Sequence, residues 1–308
     1  MPPSEAGKEH KGRNLSGNCT VRVRFHRPSA ALQPYFTTFY LTEIEVAGGG
    51  RVQDHLHPEW GGLRIFQGPG PDAAPLGGEE HIGIRNIAHG PTATTIRFRI
   101  GSGRCWGVGF LPAGWAKFIG TGANRLANRI VDGAVHETFA RFRPLIASLF
   151  DEEPSESEEL ARMEAHFLGR LDEASPDEDR IIAAHQALVD PVVGSVHEMA
   201  EACGMKAHTL ERLCRRHFGF TPSLLLRRQR FMRSVAQFML DPSLKWIGAI
   251  DQHYHDQAQF IRDFHRFMGM NPREYAAMPH PILDAVMRAR AAAAGEAVQA
   301  LHPPQPSH

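Results

Sequence analysis

A pattern that occurs twice near the carboxyl end constrains this chain more than anything else in it. Ala200-x-x-x-Gly204 is followed by Leu210 and Cys214 and closes on Phe218-Gly219-Phe220-Thr221-Pro222. Forty-nine residues after Ala200, Ala249-x-x-x-His253 is followed by Phe260 and Phe264 and closes on Met268-Gly269-Met270-Asn271-Pro272, with one extra residue in the second turn. Each copy predicts a first helix carrying a small residue, a tight turn, and a second helix whose apolar side chains recur at i, i+4 and i+7 or i+8. That is a helix-turn-helix. The small Ala lets the two helices cross closely, and the turn position favours glycine because it needs positive φ. Between the copies lies TPSLLLRRQRFMRSVAQFMLDP, in which Thr221 caps a helix, Pro222 occupies its first turn and Asp241-Pro242 ends it. Its Arg227, Arg228, Arg230 and Arg233 suit either a solvated connecting helix or DNA phosphates. Asn271-Pro272 repeats the cap-plus-proline start for a closing helix, PREYAAM.

The rest of the chain reads differently. At 308 residues it exceeds the usual single-domain length of roughly 100–200. VRVRFHR, FTTFYLTEIEV, GLRIFQG, HIGIRNIA, TTIRFRIG and CWGVGFLP read as short strands. In TTIRFRIG the apolar Ile96, Phe98 and Ile100 alternate with Thr95, Arg97 and Arg99, the period of a strand with one wet face. Gly and Pro punctuate the gaps, notably QGPGPDAAPLGG, so a sandwich or barrel is expected. From Ala113 onward AGWAKFIG, NRLANRIV, HETFARFRPLIASLF, SESEELARMEAHFLGRL and PDEDRIIAAHQALV read as helical, with DEEPSESEE and ASPDED as flexible joints. GTGAN at 120–124 is too short for a phosphate loop and breaks one helix from the next. The expected fold class is α+β, with an amino-terminal strand-rich, cupin-like barrel and following helices, then an all-α tandem helix-turn-helix domain. The expected boundaries are a disordered 1–18, a sensor-like 19–112, a helical connector over 113–190 that is acidic at its end, the tandem unit over 191–280, and an Ala-rich then disordered tail over 281–308.

Net charge is zero only in sum. Residues 1–150 carry 17 basic against 11 acidic side chains, 151–190 carry 3 against 13, and 191–280 carry 12 against 8. An acidic connector cancels two basic regions, and a basic region of this size is compatible with an anionic partner. The four cysteines, Cys19, Cys105, Cys203 and Cys214, are spread without a C-x-x-C pair, which argues against a zinc ribbon and a disulfide framework. With no apolar run long enough to span a bilayer and no secretory signal pattern, a cytoplasmic protein without membrane contact is expected.

YHDQAQFIRDFHRFMGMNPREY, together with the order and spacing of the two copies, resembles the AraC/XylS family of bacterial transcription regulators over about residues 192–279. RFHRPSAALQPYFTTFY and VGFLPAGWAKFIG are similar to sensory domains of some such regulators. The resemblance implies two helix-turn-helix units joined by one long helix, double-stranded DNA as partner, and a small-molecule effector bound by the amino-terminal domain. RNA polymerase and a second copy, met through the helical connector, are further expected partners. The sequence departs from the family at Lys206 (a capping serine), Cys214 (a phenylalanine), Gly248 (a core aliphatic), His253 (glycine) and Asn271 (threonine). His253 in the turn is expected at positive φ, at a cost of about 1–2 kcal/mol that weakens the second unit.

Exposed residues near the start of the second helix of such a unit reach base edges in the major groove. On that rule and by the resemblance, Gln257, Ala258, Ile261 and Arg262 read bases in the second unit, and His208, Glu211, Arg212 and Arg215 in the first. Gln suits adenine, Arg guanine, Glu a cytosine amine and Ile a thymine methyl. Lys206, Thr209, His255 and Gln259 are assigned to phosphates. Asp256 is expected to cap the second reading helix, with Gln259 reaching back. Because His253, His255 and His265 sit in the turn, before the helix and two turns down it, they are not expected to converge on a metal.

The rival reading is a cupin-type metal-dependent enzyme or sensor using His55 and His57, with Glu59, His81 and His89 as further donors and the carboxy-terminal helices as an interaction module. Pro58 interrupts the strand and the spacing departs from the cupin pattern, so ordinary loop histidines are preferred. No enzyme activity, catalytic residue, metal or cofactor is expected. No G-x-S-x-G, P-loop or Rossmann glycine pattern occurs.

Overall fold

The computed structural model describes residues 10–11, 19–175 and 177–304. Among the described residues ten strands run β1 (His10–Lys11), β2 (Cys19–His26), β3 (Phe36–Val46), β4 (Val52–Leu56), β5 (Gly62–Gln67), β6 (Asp72–Pro75), β7 (Asn86–His89), β8 (Ile96–Ile100), β9 (Gly103–Phe110) and β10 (Ile130–Asp132). They form two antiparallel sheets, one ordered β1-β2-β3-β9-β5-β7-β10 and the other β4-β8-β6. In β8 the isoleucines and Phe98 are buried while Arg97 and Arg99 face out, the expected alternation. In β3 and β9 nearly every residue is buried, because that sheet is covered on both faces. Val21, Val23, Tyr40 and Ile44 face the small sheet's Ile96, Phe98 and Ile100, whereas Phe39, Leu41, Trp106 and Val108 face the helices.

Eleven helices are named: α1 (Pro112–Gly114), running into a π turn over Trp115–Ile119, α2 (Arg143–Ser148), α3 (Glu156–Leu168), α4 (Glu178–Val189), α5 (Val196–Ala202), α6 (Ala207–Phe218), α7 (Pro222–Leu240), α8 (Lys245–Ala249), α9 (Gln257–Met268), α10 (Pro272–Ala277) and α11 (Leu283–Ala294). α3 docks on the large sheet through Phe167, whose ring lies 4.5 Å from Phe36 and 5.8 Å from Phe39. Its buried Glu159 accepts from Trp106 Nε1 at 2.6 Å and Arg104 Nη1 at 2.8 Å. The acidic stretch expected as a joint is therefore helical from Glu156 and anchored to the sheet. α4 packs with α5, α6 and α7 and so lies with the helices that follow it.

Several local expectations change. NRLANRIV is not a helix: after a turn at Ala123–Arg125 it forms β10, where Ile130 and Val131 pair with His89 and Ala88. QGPGPDAAPLGG, read as a gap, contains β6, paired to β8. The segment expected to be disordered beyond α11 folds back as far as residue 304, because Ala297, Val298 and Ala300 are apolar and bury themselves. Within 1–18 only His10–Lys11 are described, paired with Arg22 and Val23. The rest of that segment and residues 305–308 lie outside the described residues.

Candidate nucleic-acid interface

The first unit is α5 and α6. Ser195 and Glu198 form a capping box at the start of α5, Ser195 Oγ accepting from Glu198 N at 3.2 Å and Glu198 accepting from Ser195 N at 2.9 Å. The turn passes through Gly204 at φ +60°, a conformation that disfavours side chains with a Cβ. Lys206 stands at the cap position of α6 and makes no side-chain cap bond, as expected of a residue that replaces serine. Leu210, Leu213, Cys214 and Phe218 turn inward.

The second unit solves its turn another way. α8 is five residues long and begins at Lys245, whose φ is +50°. Gly248 offers no core side chain, and Trp246 supplies the packing, stacked 3.7 Å from Phe238 with its Nε1 donating to the carbonyl of Pro272 at 2.9 Å. His253, expected at positive φ, is not there: the non-glycine residues at positive φ among those described are Asn128, Asp177 and Lys245. The extra residue lengthens the turn, and Asp251 closes it by accepting from His253 N at 2.9 Å and bonding its Nδ1 at 3.0 Å. Asp251 is in turn gripped by Arg233 at 2.6 Å. Burial works against that carboxylate, but Arg233 and the His253 N–H outweigh it and hold its pKa below the usual range.

On α9, Phe260, Phe264 and Phe267 are buried and pack around Phe231 of α7. Gln257, Ala258, Ile261, Arg262 and His265 are exposed. Asp256 caps the helix, accepting from Gln259 N at 2.6 Å, and the Gln259 side chain accepts from His255 N at 3.2 Å. On α6, His208, Glu211, Arg212 and Arg215 are exposed, with Glu211 and Arg215 paired at 2.9 Å. Among the described residues neither Arg212 nor Arg262 has a carboxylate partner. Lys206 and His255 are exposed, and Thr209 and Gln259 are half-buried. Each unit thus presents an outward polar row on a helix whose opposite side is fixed in the core.

The arginines of α7 face inward. Arg227 and Arg230 converge on the buried carboxylate of Asp263 on α9, to which Tyr254 also donates at 3.1 Å. Arg228 is fully buried, stacked 4.0 Å over Trp60, and donates to the carbonyl of Thr92 at 3.0 Å. Loss of water brings its pKa down to about 9. Neither suggested role, solvation or phosphate contact, fits these three side chains or Arg233.

The strand-rich region is joined to the second unit at its back. Thr95 N donates to the carbonyl of Phe267 at 2.7 Å, and His57 Nε2 bonds the Tyr275 hydroxyl at 2.7 Å. Asp54 accepts from Ile282 N and Leu283 N at 2.9 and 2.8 Å and pairs with His280. At the first unit, Asn124 shares a hollow with His208, Glu211, Arg212, Arg215 and Arg216. Nothing in the sequence pattern signals that approach, since Asn124 and α6 are separated by most of the helical connector.

The suggested metal donors are dispersed into other roles. His55 lies in β4 rather than a loop, and burial pushes the His57 imidazole down to about 3, leaving it neutral. Glu59 and His89 approach to 3.3 Å, but the Arg64 guanidinium binds both, at 2.7 and 3.0 Å. His81 bridges the backbone of Ala73. Among the described residues no three His, Cys, Asp or Glu side chains converge as metal ligands would.

Beside Glu59 a cavity opens between the two sheets, with about 1000 Å³ of atom-free space including its mouth. Ile44, Phe66, Ile87, Ile96 and Phe98 line its walls, and Val286, Met287 and Arg290 of α11 its roof.

Residues 199–278 match the family model of a helix-turn-helix domain. The two exposed polar rows and this match define a DNA-binding module of transcription regulators. The carboxy-terminal region belongs to the AraC type of helix-turn-helix. Among solved structures the chain is similar to a single-substitution variant of apo ToxT from Vibrio cholerae strain SCE256, at 10% identity and a TM-score of 0.41 over 85% of this chain and 98% of that one. A second ToxT structure from Vibrio cholerae gives 10% and 0.40 over 84% and 97%. The AraC-like transcriptional activator CuxR gives 10% and 0.32 over 74% and 86%. No curated protein matches the sequence. Among the described residues no helix is long and apolar enough to cross a membrane.

Proposed function

We propose that the protein is a cytoplasmic transcription regulator whose two helix-turn-helix units read successive major-groove segments about 34–36 Å apart on one face of a duplex. His208, Glu211, Arg212 and Arg215 read bases in one segment and Gln257, Ala258, Ile261 and Arg262 in the other. Lys206, Thr209, His255 and Gln259 contact phosphates. The observation that carries this reading is the division of α9 and α6 into a buried apolar side and an exposed polar row, each beginning at the helix start. Glu211 and Arg215 reach bases only by giving up their mutual ion pair, which at such exposure is weak.

The cavity of the strand-rich region holds a small-molecule effector. Support comes from its apolar walls, its few polar groups, and the contacts by which its surrounding segments touch α7, α9 and α10. RNA polymerase and a second copy of the chain are the expected protein partners. Selection of bound duplexes from a random pool with the purified protein tests the DNA reading. Enriched sites are expected to share two invariant blocks one helical turn apart, and a pool without enrichment contradicts the proposal.

A further inference from the structure

The Arg290 side chain is out of place in an apolar chamber. It lies on α11, beyond both helix-turn-helix units, and is 6% exposed. A guanidinium carries five N–H donors. Among the described residues that of Arg290 makes one hydrogen bond, to Thr38 Oγ1 at 3.2 Å, and no ion pair. Its flat face rests on Phe25 at 4.7 Å, a contact that steadies the cation without using an N–H. The cavity's one carboxylate, Glu59, is already bound to Arg64 at 2.7 Å. His57 and His89 are both held neutral by burial, so the chamber carries one positive charge in excess. A buried cation without a counter-charge is costly, and a charge-assisted bond to an anion is the most direct way to offset it.

We propose that the effector is an organic monoanion with an apolar body, its anionic group bound by Arg290 and its body lying between Ile96, Phe98 and Val286. This rests on the effector reading given above and names the ligand class. The anchoring residue belongs to the carboxy-terminal extension, so the ligand bonds a segment tied to the DNA-binding helices. α11 packs on α7, and Gln229 of α7 donates to the carbonyl of Ala300 at 2.8 Å. An anion that holds Arg290 therefore fixes the roof of the cavity and, through it, the helix that joins the two reading units.

The test uses three probes of one shape on the full chain by calorimetry: 4-butylcyclohexanecarboxylate, the matching carboxamide, and 4-butylcyclohexylmethylammonium. The carboxylate is expected to bind about tenfold or more tighter than the carboxamide, and the ammonium not at all. Arg290→Gln should bring the carboxylate to the level of the carboxamide while leaving the latter unchanged, which also shows that the variant is folded. Arg290→Lys should keep part of the preference, and Val286→Trp, which fills the chamber, should abolish binding of all three. Equal binding of carboxylate and carboxamide, or a preference that survives Arg290→Gln, overturns the anion assignment and leaves an apolar effector cavity standing. Binding that survives Val286→Trp overturns the location. Binding of none of the probes to the wild-type chain overturns both this inference and the cavity reading beneath it.

Discussion

The two helix-turn-helix units reach the same shape by different means. In the first, backbone freedom does it: Gly204 turns the chain at positive φ, and the space around it is open. In the second, side-chain bonds do it: a turn one residue longer is closed by Asp251, and α9 is held from behind by Arg227 and Arg230 on its Asp263. The second unit's departures from the family pattern are thus offset by buried charge rather than left as strain. The two units should therefore respond differently to removal of charge.

The largest effect is expected from Asp263→Ala. It leaves Arg227, Arg230 and the Tyr254 hydroxyl facing an emptied site, and removing one member of a buried ionic cluster costs about 3–5 kcal/mol. Urea unfolding measures the loss, and a loss below about 1 kcal/mol would show that the clamp on α9 is dispensable.

Acidification separates backbone from charge. His57 beside the second unit and His185 beside the first are both fully buried, and burial lowers each to about 3. Below about pH 6.5 the unfolded chain takes up protons that the folded chain refuses, so stability falls as pH drops, by about 1.4 kcal/mol per pH unit for each histidine. Asp251 acts with the same sign but in a lower pH window. Its folded pKa is depressed, so its contribution is complete above the unfolded value of 3.8 and is lost only as pH falls through the folded pKa. Urea midpoints between about pH 7 and pH 5 should fall for the wild-type chain. The deficit of Asp251→Asn should stay constant over the same range.

At neutral pH that deficit is expected to be about 1.5–3 kcal/mol, the range of a hydrogen bond to a charged group. Gly204→Ala, whose added Cβ meets only open space, should cost about 1–2 kcal/mol through backbone conformation alone. A cost near zero for Gly204→Ala would mean that the first turn also rests on side-chain bonds. The smallest effect is expected from Glu211→Gln, which breaks an exposed ion pair with Arg215 and should change stability by no more than about 0.5 kcal/mol.

The tandem unit was legible because its period, its caps and its apolar positions are all local. Thr221 and Asn271 cap as their positions require, Asp256 caps α9 as expected although the Gln259 side chain reaches past it to His255 N, and the phenylalanines of α9 point inward. Asp263 and Arg228 were not legible, since each is a charge whose burial depends on partners far away in the chain. Trp60, on which Arg228 stacks, belongs to the strand-rich region. β4, β6 and β10 were missed for the same reason: three to five residues long, they exist only because distant strands pair with them. The fate of the tail was hidden in composition. An Ala-rich segment offers little periodicity, yet it roofs the cavity that most needs a cover.

The central claim, that two exposed helical rows read bases, is tested most directly by competition binding of Arg212→Ala and Arg262→Ala against the selected duplex and random DNA. Each variant should lose about 1–3 kcal/mol on the selected site and relax specificity at one base pair, Arg212→Ala in one block and Arg262→Ala in the other. Equal losses on selected and random duplexes for both variants would contradict base reading by these helices.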